Sequence, residues 1–107
     1  MKNQREIKFR VWDKEEKGMI TSWLTGLKLW VKEPENYIPL QFTGLKDKNG
    51  VEIFEGDIVK ICNPKRNSYQ ITLVKWDDEI TGWGIWKIYQ EFCKVIGNIF
   101  ESPELLK

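Results

Sequence analysis

From Arg5 to Trp12 the chain alternates. Ile7, Phe9 and Val11 fall on one side, Lys8 and Arg10 on the other. A period of two is the mark of a half-buried β-strand. Asp13 to Gly18 reads as a charged turn, and Met19 to Leu24 as the strand that pairs with the first. Thr25 to Glu35 supports two readings. Trp23, Leu27, Trp30 and Val31 have the spacing of one helical face. Against that, Gly26 weakens a helix by about 1 kcal/mol relative to Ala, and Trp30 and Val31 favour a pleated surface. The balance falls on strand. Pro34 and Pro39 then require extended backbone before each of them.

The second half continues the pattern. Tyr37 to Thr43 is predicted as strand and is followed by a run of turn signals at Gly44, Asn49-Gly50 and Glu55-Gly56-Asp57. Asn-Gly is the pair preferred by a type I′ turn, in which both central residues take positive φ. Gly56 can take positive φ at a second tight point, and Asp57 can accept hydrogen bonds from nearby backbone N–H groups. Strands are predicted from Asp57 to Cys62, Tyr69 to Trp76, Gly82 to Tyr89 and Phe92 to Phe100, with a polar loop at Asn63–Ser68 and a charged turn at Asp77–Glu79. Ser102-Pro103-Glu104 carries a cap, a proline at the first helical position and an acid in the first turn, which suits one short helical turn at the end. The expectation is a single small all-β domain over 1–107, with seven or eight short strands in a barrel-like or bent, coiled arrangement.

Composition narrows the chemistry more than the fold. The chain has 107 residues, 13% of them aromatic (six Trp, five Phe and three Tyr), no histidine and a net charge of +1. Mechanisms that need an imidazole base or ligand are excluded. No apolar run reaches the roughly 18 residues of a membrane span, and charges interrupt the first residues where a leader would be apolar. A cytoplasmic protein is expected, with Cys62 and Cys93 as reduced, buried thiols.

The run Leu40 to Ile61, LQFTGLKDKNGVEIFEGDIVKI, resembles the signature of the YopX family, small proteins encoded by bacteriophages and prophages. The opening Ile7-Lys8-Phe9-Arg10-Val11-Trp12-Asp13 and the closing Val95-Ile96-Gly97-Asn98-Ile99, with its proline-glutamate-leucine tail, resemble the same family and stand in the same order. The resemblance implies an all-β fold of bent sheets. It implies no activity, cofactor or catalytic residue. The segments that depart from the family pattern are Lys14–Pro39, with Trp23 and Trp30, and the stretch around Trp83 and Trp86.

No catalytic residue, metal site or cofactor is predicted. The two cysteines lack a base and a motif, and Asp77-Asp78-Glu79 lacks the spacing of a calcium loop. Glu55 and Asp57 form an acid pair whose turn-stabilising role outweighs general acid–base work. Two binding readings remain. The first is association with a protein partner or with a second copy through Trp83, Trp86, Tyr89, Trp23 and Trp30. The predicted strand 83–89 is apolar on both faces, and Trp and Tyr anchor interfaces; core packing of the same residues is the competing explanation. The second is single-stranded nucleic acid. Ile58 to Trp76 contains no acid but holds Lys60, Lys65, Arg66 and Lys75 beside Tyr69 and Trp76, a combination of cations and stacking rings. The near-zero net charge favours the protein partner.

Overall fold

The computed structural model describes residues 7–76 and 91–106. Among the described residues, seven strands lie in two sheets, with one helix and a C-terminal 3-10 turn. In chain order they are β1 (Phe9–Asp13), β2 (Gly18–Ile20), α1 (Trp23–Lys32), β3 (Tyr37–Lys46), β4 (Glu52–Phe54), β5 (Asp57–Asn63), β6 (Ser68–Leu73) and β7 (Cys93–Asn98), closed by the turn Pro103–Leu106. The first sheet has the order β2-β1-β3-β4 and the second β6-β5-β7, with every pairing antiparallel. The mostly β architecture of bent sheets agrees with the expectation. The predicted strand 82–89, the turn 77–79 and the side chains of Trp83, Trp86 and Tyr89 lie outside the described residues.

The stretch read as strand between Thr25 and Glu35 is helix as far as Lys32, and the strand predicted from Met19 ends at Ile20. Tertiary packing overrides the local preference here. Trp23 lays its ring 4.8 Å from that of Phe9, and Gly26 is buried against β1. A Cβ on Gly26 would stand 2.6 Å from Cγ2 of Val11. Glycine lowers the helix propensity at this position, yet only glycine lets the helix approach the strand so closely.

That contact also changes the reading of β1. Its Phe9 and Val11 side meets α1, and its other side is covered too. Trp12 stacks on Phe100 at 5.2 Å, Arg10 lies over the Phe54 ring, and Lys8 lies over Phe42. The strand is therefore enclosed on both faces at Val11 and Trp12. The two cations are held by acids: Lys8 pairs with Glu52 and Arg10 with Asp57. Between the sheets, Ile53, Val59, Val74 and Cys93 form a core cluster with Leu45, Ile61 and Val95 packed against it.

The reversal at 47–51 is not a type I′ turn. Of Asn49 and Gly50 only Gly50 has positive φ, at +82°. Asp47 takes control of the loop instead, its Oδ1 accepting N–H bonds from Asn49 at 2.8 Å and Val51 at 2.9 Å. Gly44, with φ of +89°, falls where the β3–β4 register shifts between Phe42 and Lys46, so it serves a bulge. Gly56 has φ of +90° as expected, and Asp57 accepts the Phe54 N–H at 2.8 Å. No helix among the described residues is long and apolar enough to cross a membrane.

Candidate functional site

The acid pair does structural work. Asp57 is 2% exposed and is occupied by the Arg10 guanidinium and the Phe54 N–H. Burial pushes its carboxyl above the ordinary value, and those two partners only partly offset the shift. Glu55 accepts the Gln41 N–H at 3.4 Å. Among the described residues, no group of three or more Cys, Asp or Glu is arranged to hold a metal ion.

The two cysteines separate. Cys93 is buried, and burial, followed by the nearby Asp47 carboxylate, pushes its thiol up to about 11. Cys62, expected inside, is exposed. The register explains both. Ile61 stands opposite Cys93, so those two share the inner face of the second sheet. Cys62, one residue further along β5, must point to the outer face. Both thiols are free.

That outer face carries one of the predicted cations, Lys60. Lys60 is paired with Lys94 across β5 and β7 and with Ile71 across β5 and β6. Cys62 is paired with Tyr69, which places Tyr69 diagonally from Lys60 on the same side. Tyr69 is 61% exposed, and the Lys60 ammonium lies 4.3 Å from its ring centroid. Two lysines directly opposite each other on neighbouring strands repel, and the tyrosine ring draws one of them aside. Lys94 is exposed. Only the cross-strand register, which the sequence does not print, brings it beside Lys60.

At the tip of the hairpin the backbone is locally set. Asn63 Oδ1 accepts N–H bonds from Lys65 at 3.0 Å and Arg66 at 3.3 Å, and Asn67 takes φ of 51°, a conformation asparagine tolerates. Lys65 and Arg66 line a cleft of about 580 Å³ together with Cys62, Tyr69, Gln70 and Phe92, and none of its described lining residues is acidic. Lys75 is exposed but lies beyond the end of β6 and does not line the cleft. Trp76 next to it is 45% exposed. On the helix, Trp23 and Trp30 are half-buried.

The fold described here is shared with a solved structure. The crystal structure of protein EF1440 from Enterococcus faecalis is similar to this chain, with a TM-score of 0.66 and 31% sequence identity over 97% of this chain and 100% of that one. No curated protein matches. The model of the YopX protein family matches residues 24–107, which include the 40–61 run with its Asp47 and Asp57 turns, the basic hairpin and the closing strand, and the chain belongs to that family.

Proposed function

We propose that this protein is a non-enzymatic binding module for single-stranded nucleic acid, acting in the cytoplasm of a bacterium in a phage or prophage setting. The observation that carries the reading is the Lys60–Lys94 pair beside exposed Tyr69, with Lys65 and Arg66 exposed at the tip of the same β5–β6 hairpin. A like-charge pair across two strands is unfavourable in the free protein. An anion seated between the two ammonium groups removes the repulsion, so part of the binding energy comes from relieving it. The partner is single-stranded because bases freed from a duplex present π-faces to a ring such as Tyr69. The net charge of +1 is a sum over the whole chain, and what a strand would meet is the local group of Lys60, Lys94, Lys65 and Arg66 on the second sheet and its hairpin tip.

Titration of the protein with a fluorescein-labelled oligothymidine tests it. Binding is expected at low salt, with log K falling linearly as log salt rises, since each neutralised phosphate releases counterions. Absence of binding at low salt overturns the proposal.

Association with a second copy is a second reading, and it rests on the helix. Leu24 and Val31 are 64% and 69% exposed on α1, seven residues apart and therefore on one face. Light scattering tests it. A dimer that Leu24→Glu dissolves supports it, and a strict monomer ends it.

A further inference from the structure

The outer face of the second sheet has a more specific geometry than a basic patch needs. Across β7, β5 and β6 one row reads Lys94, Lys60, Ile71, and Tyr69 stands diagonal to Lys60 in the next row, next to Cys62. Adjacent strands lie about 4.8 Å apart, so the ring and both ammonium groups can meet a single nucleotide unit. Tyr69 is exposed, but the Lys60 ammonium already lies over its ring.

We infer that this row is a one-base platform with a built-in cap. In the free protein Lys60 covers the Tyr69 ring. When a strand arrives, Lys60 leaves the ring for the adjacent phosphate, which it shares with Lys94, and the base takes the vacated face of Tyr69. A phosphate competes well for the ammonium, because a charge-assisted hydrogen bond is stronger than an exposed cation–π contact. The vacated ring gains a base in exchange. Stacking and phosphate binding are thus coupled through one side chain. The inference rests on the nucleic-acid reading above and adds to it which ring reads the base and which lysines hold its phosphate.

The experiment uses three probes: oligothymidine, oligouridine and an abasic deoxyribose strand of the same length. Tyr69 is exposed, so Tyr69→Ala leaves the fold intact, and circular dichroism checks this. Tyr69→Ala is expected to weaken binding to the two base-bearing strands about 5- to 150-fold, the range set by loss of one stacked base. Its affinity for the abasic strand should not fall, because losing the ring also frees Lys60 for the phosphate, and Tyr69→Phe should bind like the parent protein. Lys94→Ala should weaken binding to all three probes and lower the salt slope by about 0.7. If Tyr69→Ala weakens the base-bearing and abasic strands alike, or weakens neither, the platform is overturned while binding to oligothymidine still stands. If the parent protein binds none of the three probes, the nucleic-acid reading fails and the platform with it.

Discussion

One device recurs at the chain reversals, an Asp or Asn whose side-chain oxygen collects backbone N–H groups two to four residues on. Asp13 does so for Glu15 and Glu16, Asp47 for Asn49 and Val51, Asn63 for Lys65 and Arg66, and Asn98 for Phe100 and Glu101. Asp47 goes further. Its second oxygen accepts the Val95 N–H at 2.9 Å, so one carboxylate ties the loop after β3 to β7 in the other sheet. Burial pushes this carboxyl up, but the N–H bonds of Val95, Val51 and Asn49 together outweigh burial and leave it below its ordinary value. A lowered carboxyl contributes stability that is present above the unfolded value and is lost as pH falls through the folded one. Asp47→Asn turns an amide N–H₂ towards the Val95 N–H and should cost about 1–3 kcal/mol at neutral pH. It should also flatten the acid limb of the stability curve. Urea denaturation followed by tryptophan fluorescence across pH measures both effects. At the same scale, a thiol reagent should titrate one group, Cys62, in the folded protein and a second, Cys93, only after unfolding. Prompt reaction of both would place Cys93 at the surface.

At the scale of elements, α1 shows how packing outweighs propensity. Gly26→Ala improves the intrinsic helix preference by about 1 kcal/mol, yet its Cβ would meet Cγ2 and Cβ of Val11 at 2.6 and 3.0 Å. Val11 is fully buried in the middle of its strand and has no room to withdraw. The substitution should therefore destabilise the protein by about 1–3 kcal/mol, as overpacking does, and thermal denaturation reads the sign directly. A rise in Tm would mean that the helix does not sit against β1. The β5–β6 hairpin is the contrasting element. Its inner residues Val59 and Ile61 serve the core, while its outer residues and tip carry cations and an exposed ring. The alternation that builds the strand thus also builds the proposed binding face.

At the scale of the molecule, the two sheets are joined by Asp47 and by the pair of Arg10 from β1 with Asp57 from β5. The Asp57 carboxyl is raised by burial, so its contribution has the opposite sign to that of Asp47. It is fully present below the unfolded value and is lost as pH rises through the folded one. Removing one partner of such a pair strands the other. Arg10→Met should cost about 3–5 kcal/mol by leaving Asp57 buried and unpaired, and Arg10→Met with Asp57→Asn should recover much of that loss. Equal stabilities of the single and double variants in urea would show that the pair does not couple the sheets.

Much of this was legible along the chain. The period of two in β1, the glycine and asparagine punctuation, and the short capped turn at Ser102-Pro103-Glu104 follow from local sterics and hydrogen bonding, which neighbouring residues settle among themselves. Lys60, Lys65 and Arg66 were visible as an acid-free stretch for the same reason. What depended on distant partners was not legible. Residues 23–32 became helix because Phe9 and Val11 offered a surface that rewards a 3.6-residue period. Lys8 and Arg10 became partly buried because Glu52 and Asp57 reach them from far along the chain. Asn49 was denied its positive φ by a carboxylate that also answers to β7, Cys62 turned outward through register, and Lys94 joined Lys60 only by pairing. The sequence by itself determined the strands, the turns and the supply of cations. The tertiary structure decided which faces are buried and which charges meet, because burial and cross-strand register are set by residues far apart in the chain.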